Sequence, residues 1–346
     1  MTHTLVVVWA GFAIGLIFGA VGQRIEFCLT GGLREWWGEG RPRRAAAFVL
    51  AVAVAIAGTQ LVAGLGLVDL GESLYLQAGF SWLLIPLGGV LFGCGMMLAR
   101  GCGSRALVLL GDGNLRSLVV LLCLGISAYV ALTGLLAPLR LSVAEATTVT
   151  PELTAPSIPG LLESAGLGPG IARALPAILL AAGLAAFALV RLGLFQTPRD
   201  AGGAVIIGTL VPAGWVATGY FGADDFDPVR VESLTFVAPV GDAIQYLMFS
   251  TGTQLAFGVT VVAGVLAGSI AASVLSRSFE LRGFESPGHM LRAIGGGVLM
   301  GVGGALAIGC SIGQGLSGLS TLALPSFMAA TGIFVGAFAA LRLAKQ

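Results

Sequence analysis

Nine stretches of roughly bilayer-spanning length, each without a charged side chain, recur along this 346-residue chain. They lie at 4–22, 45–66, 82–99, 117–138, 174–190, 201–221, 251–276, 293–308 and 325–341. A helix needs about 20 apolar residues to cross the hydrocarbon, within a range of about 17–25. Only 293–308, at 16 residues, falls short of that range. Hydrophobic residues make up 56% of the chain and charged ones 10%, against about 25% charged in an ordinary soluble domain. Too few charges exist to cover a water-soluble surface, so a soluble enzyme is excluded. The predicted fold is an all-α polytopic membrane protein of about nine transmembrane helices plus short re-entrant helices, embedded in a lipid bilayer.

The remaining composition narrows the chemistry. The 54 glycines lie inside apolar runs with no three-residue period, which excludes collagen. A net charge of +1 leaves no basic stripe for nucleic acid. His3 and His289 are far apart and show no metal-ligand spacing, so neither a metal nor a cofactor is expected. Cysteines stand at 28, 94, 102, 123 and 310, with no CxxC, and their odd number argues against a disulfide framework. The opening MTHTLVVVW lacks the positive n-region of a signal peptide, so its apolar run is expected to persist as a span.

Charge placement gives the orientation. If the segment after the first span faces the cytoplasm, 15 of the 18 Lys and Arg residues fall inside and only Arg140, Arg173 and Arg230 fall outside. Dropping or adding one span scrambles this asymmetry, so the positive-inside rule supports nine spans, an outer N-terminus and an inner C-terminus.

Residues 293–341 form 49 consecutive positions without a charge, and their middle reads GCSIGQGLSGLS at 309–320. An uncharged Gly/Ser connector predicts backbone that dips back into the membrane, which is tolerated only where protein or a polar cavity covers it. The same region repeats an earlier one. GGVLFGCGMMLARGC at 88–102 and GGVLMGVGGALAIGC at 296–310 match at ten of 15 positions without a gap. In the nine-span topology the two copies run in opposite directions, four spans on each side of a central one. The predicted plan is a single transport domain, 1–346, with half-repeats 1–140 and 200–346 and a linking span at about 171–194.

Three cysteines sit in Gly-rich sequence just after spans: Cys28, Cys102 and Cys310, the last two in the repeated pairs Gly101-Cys102 and Gly309-Cys310. A neutral thiol is a weak donor and a polarisable partner. It suits a soft sulfur anion, while Gly-rich backbone and helix N-termini supply N–H groups for anionic oxygens. Arg24 and Arg105 are candidate cations at the mouth, although inside arginines also arise from topology alone. Gln23, Ser311 and Gln314 are candidate polar lining, along with Ser317, Ser320, Thr209, Thr218 and Gln245. Asp242 interrupts 233–249, which therefore reads as a short inserted helix. Cys94 and Cys123, inside spans, read as small buried apolar residues. Thiol redox chemistry stays open as an alternative. It needs a low-pKa thiolate and a resolving cysteine, and Cys94 and Cys102 are too far apart along one straight helix for a disulfide.

The motifs FGxxxQRxxFC (18–28), GGVLFGCGMMLARGCGSR (88–105), GNLRSLVV (113–120) and GCSIGQGLSG (309–318) resemble those of the YeeE/YedE family of bacterial inner-membrane sulfur-transport proteins. The resemblance covers about 11–340. It implies uptake of thiosulfate through an hourglass-shaped, nine-span protein in which three cysteines relay the ion by weak S–H contacts. Carried over by motif, these are Cys28, Cys102 and Cys310, with Cys102 the most critical. It also implies a cytoplasmic TusA-like sulfur-handling partner. The chain ends five residues after the last span, at Gln346, so that partner is expected to be a separate protein. Branches of the family associated with selenium keep a selenium compound or another sulfur oxyanion open as the solute.

Overall fold

Hydrocarbon offers no partner for a backbone N–H or C=O, so each apolar run satisfies its own as a helix. The computed structural model describes residues 3–151, 153, 155–224, 229–284 and 286–343. Among them, nine segments are long and apolar enough to cross a membrane, in the order predicted. The first joins α1 (His3–Arg24) to α2 (Leu29–Glu39); α3 (Arg43–Gly64) follows. The third joins α4 (Leu84–Leu98) to α5 (Gly103–Gly111), and α6 (Leu115–Leu132) is the fourth. Two short helices, α7 (Ala137–Thr147) and α8 (Ile158–Ser164), precede α9 (Pro169–Ala186), which continues into a π-helical turn at Phe187–Arg191. The second half comprises α10 (Pro198–Gly219), α11 (Val237–Phe249), α12 (Phe257–Leu275), α13 (Pro287–Leu306) and α14 (Leu324–Leu343). Phe80–Ser81 pairs antiparallel with Thr148–Val149.

Several boundaries differ from the sequence expectation. The short run at 293–308 is the C-terminal part of α13, which starts at Pro287 behind a capping Ser286 and takes in Arg292. A long cationic side chain near a helix end can reach out of the apolar layer, so a charge does not end the span. Residues 251–256 precede α12 rather than belonging to it. The stretch interrupted by Asp242 forms the 13-residue α11. The uncharged connector forms a π-helical turn at Gly313–Gly318, buried at every position.

Packing uses the small residues. α1 lies on α12 and α3 on α10; α4 packs against α14 and α13, and α13 also against α6. A Cβ on Gly93 or Gly336 would overlap the carbonyls of Ile333 and Val90, so glycine lets α4 and α14 meet backbone to backbone. Cross-links fix the two ends of the bundle. At one end Arg43 pairs with Asp200 (3.0 Å), Arg199 donates to the Arg24 carbonyl (3.1 Å) and Ser273 donates to the Gly111 carbonyl (2.9 Å). This is the arginine face. At the opposite face Arg173 donates to the Ala63 carbonyl (3.1 Å), and Ser157 bridges to Ala323.

Candidate functional site

The three motif cysteines share one local construction. A helix ends on a residue in the left-handed region: Glu26 (φ 52°), Arg100 (φ 58°) and Ile308 (φ 56°). The next N–H reaches back five residues, from Phe27 to Gly22 (3.0 Å), Gly101 to Met96 (3.0 Å) and Gly309 to Gly304 (2.9 Å). That bond closes the helix end. The residue after it is the cysteine, and a new helical turn begins there. Cys28 is extended (φ −165°, ψ 119°) and its Sγ accepts the Gly31 N–H at 3.3 Å, capping α2. Cys102 (φ −90°, ψ 176°) occupies the same place before α5. Cys310 Sγ accepts the Gly313 N–H, also at 3.3 Å, at the start of the π-helical turn.

Packing brings the three together. All are buried, with exposures of 4%, 2% and 1% for Cys28, Cys102 and Cys310. The thiols of Cys28 and Cys102 interact directly although they lie on different spans. Cys102 Sγ also meets Ser104 Oγ at 3.2 Å, and the buried Ser311 hydroxyl lies near it without a hydrogen bond of its own among the described residues. Ser311 follows Cys310 in the chain, so it stands between the two repeated cysteines. Arg105 lies within electrostatic range of Cys28 and donates to the Gly22 carbonyl (3.5 Å). Cys102 and Cys310 belong to one buried apolar cluster that also holds Phe18, Phe27, Phe48 and Phe236. Phe27 stacks on Phe48 (5.6 Å between centroids), and Phe18 meets Phe236 (5.4 Å). Three helix starts and three thiols thus converge inside an apolar wall. Helix N-termini favour negative charge, and a thiol is a weak donor and a polarisable partner.

The other predicted residues divide. Gly101 and Gly309 make the closing bonds. Gln314 is buried and its Nε2 donates to the Ala307 (2.5 Å) and Ile308 (3.3 Å) carbonyls, holding the second helix break. Gln23 is half-buried near the arginine end of α1. The Arg24 side chain is exposed at the arginine face, away from the thiols. Ser317 and Ser320 are occupied structurally, donating to the Leu234 (2.7 Å) and Ser317 (2.6 Å) carbonyls. Thr218 braces the segment after α10 through the backbone of Glu232. Thr209 and Gln245 are exposed on outer surfaces and are not brought to the site. Cys94, half-buried, donates to the Gly336 carbonyl (3.3 Å) in the α4–α14 contact.

Sequence reading missed a second polar group, on the opposite face beside Cys310. Tyr75 is buried within electrostatic range of Cys310, Glu232 and Arg230. Burial pushes the Glu232 carboxyl up to about 7, with Arg230 opposing the shift and Asp242 adding to it. Asp242 accepts a hydrogen bond from Tyr129, and burial raises its carboxyl too. These residues lie on four separate segments, and no local spacing links them.

A family profile described as sulphur transport matches residues 24–339. The chain belongs to the sulphur-transport family. Among its relatives, the thiosulfate transporter TsuA of Escherichia coli (strain K12) is 28% identical over 323 residues, covering 89% of this chain and 86% of the relative. TsuA of Spirochaeta thermophila is 27% identical over 345 residues, covering 95% and 96%. The probable transporter YedE of Escherichia coli is 34% identical over 88 residues, a quarter of this chain. This member of the sulphur-transport family is therefore a multi-pass membrane transporter, not an enzyme.

Proposed function

We propose that the protein takes up thiosulfate, or a closely related soft sulfur anion, across the bacterial inner membrane. The observation that carries this reading is the convergence of the buried Cys28, Cys102 and Cys310, each at the start of a helical turn. The ion enters from the opposite face, meets Cys310 beside Tyr75, passes Ser311 to Cys102, and leaves past Cys28 and Arg105 toward the arginine face. Each contact is a weak thiol or N–H interaction, as a permeation path requires, because a site that binds tightly cannot release.

The arginine face is cytoplasmic in this reading, with the N-terminus outside and the C-terminus inside. Two inverted half-repeats, 1–140 and 200–346, are joined by a linking span at about 171–194. Helix pairing supports the inversion: exchanging the halves takes the α1–α12 contact to α10–α3, and the α4–α14 contact to α13–α6. A separate TusA-like sulfur-handling protein receiving the ion at the cytoplasmic face completes the proposal.

The test is uptake of labelled thiosulfate into vesicles containing the purified protein. Cys102→Ala is expected to reduce uptake to the protein-free background. Cys102→Ser, which keeps a small group able to hydrogen-bond Ser104 at a position where serine is a favoured N-cap, is expected to fold normally and still lose at least tenfold. Unimpaired uptake in both variants would remove the thiol relay.

A further inference from the structure

The GNLRSL stretch, 113–118, has no part in the thiol path, yet it lines a cavity of about 200 Å³ between α4, α5 and α6. The other wall carries Arg100 and Gly101, the two residues before Cys102. We infer that this cavity is a second anion subsite, free of thiols, which holds the oxygen end of a thiosulfate-type oxyanion between Cys102 and the arginine face. The inference rests on the transport reading above.

Four observations support it. First, size: a water molecule takes about 30 Å³ of liquid, so the cavity has room for a tetrahedral oxyanion with some of its hydration. Second, chemistry: Arg100, Arg116, Asn114 and Ser117 all line it. A guanidinium presents a planar fork of donors that matches an oxyanion's oxygens, where a thiol matches its sulfur. Arg116 Nη2 donates to the Ala99 carbonyl (3.3 Å), which fixes the guanidinium at the cavity wall. Third, position: Gly101 is part of the wall and is peptide-bonded to Cys102, so the cavity begins where the thiol site ends.

Fourth, the comparison between repeat copies separates function from folding. Ile308 stands where Arg100 stands in the first copy, in the same left-handed conformation. No residue from 308 to 326 is charged. The helix break therefore forms without an arginine, and the positive charge is specific to the copy that opens on the arginine face. Arg100 is also solvent-exposed, which screens its attraction and lets the ion leave.

The experiment measures thiosulfate half-saturation separately from the two faces of oriented vesicles. Arg100→Gln is expected to raise half-saturation at the arginine face at least fivefold while changing the opposite face less than twofold. Arg116→Gln is expected to do the same, but Arg100 is the cleaner test because its side chain is exposed, whereas that of Arg116 also bonds the Ala99 carbonyl. Sulfate, which shares the oxygen face of thiosulfate but lacks its outer sulfur, is expected to compete at the arginine face better than chloride does. An equal shift on both faces, no shift in Arg100→Gln, or competition by sulfate no better than by chloride would overturn the subsite. Wild-type vesicles that take up no thiosulfate would instead sink the transport reading, and the subsite with it.

Discussion

Serine, aspartate and asparagine are the usual helix N-caps, yet Cys28 and Cys102 occupy that position before α2 and α5, and the Cys310 sulfur accepts the first N–H of the π-helical turn. Each follows an L-residue in the left-handed region, a conformation that costs roughly 1–2 kcal/mol. Left-handed L-residues also stand at Arg277 and Leu322, but among the described residues only Glu26, Arg100 and Ile308 are followed two positions later by a cysteine, where a local rule is broken in favour of the site. Cys102 and Cys310 were readable from the repeat because their surroundings match in residue type. Cys28 was not, because its likeness to them is one of backbone dihedral: Glu26-Phe27-Cys28 shares only the cysteine with Arg100-Gly101-Cys102. Glu232 gives a prediction at this scale. Its carboxyl sits near 7 in the folded protein, above the ordinary carboxylate value, so the folded state holds the extra proton between those two values. Stability from this group is therefore present in mild acid, declines as pH rises, and is gone above about 7. Thermal unfolding in detergent is expected to show a falling midpoint from pH 5 to 7 that levels beyond, and Glu232→Gln is expected to remove that slope. A variant retaining the full slope would assign it to other groups.

Hydropathy made every spanning element legible, because hydrocarbon forces helix on any long apolar run. It did not reveal where elements break. The third span reads as one run, 82–99, with a polar tail, whereas the chain reverses at Arg100 and restarts at Gly103. Nothing in residue type marks a reversal that depends on one left-handed residue. The α2 segment, too polar to read as a span, is held by ion pairs: Glu26 contacts Arg43 and Arg44, and Arg44 also pairs with Glu35 at 3.3 Å. Close approach of α4 and α14 predicts a sharp response to volume. Gly336→Ala places a methyl against the Val90 carbonyl, and overpacking of this kind costs about 1–3 kcal/mol. A lower unfolding midpoint than wild type is expected, with reduced uptake per folded molecule. An unchanged midpoint would mean that the two helices are free to separate.

At the scale of the molecule, the cysteines meet because the two halves interlock. Cys28 and Cys102 come from the first half and Cys310 from the second, separated by up to 282 positions. The sequence placed all three beside helix breaks, but only the packed bundle seats Cys28 on Cys102 and Ser311 between the repeated pair. The topology has a direct test. Thr251→Cys, before α12, and Ser278→Cys, after it, are both exposed and lie at opposite ends of the bundle. A membrane-impermeant maleimide added to intact spheroplasts is expected to label the first and not the second. Labelling of both, or of Ser278→Cys alone, would reverse or dismantle the orientation.

The burial of the three cysteines within an apolar bundle has an energetic consequence for the cell. A doubly charged ion passing these thiols carries its charge through the membrane field; Arg105, within electrostatic range of Cys28, offsets only the local cost of the charge and not the work against the field. An interior that is negative by 100 mV opposes each elementary charge by about 2.3 kcal/mol, or roughly 4.6 kcal/mol for a dianion. Inward flow would then depend on the ion being consumed promptly after it arrives, which makes the metabolic sink as much a part of the machine as the passage itself.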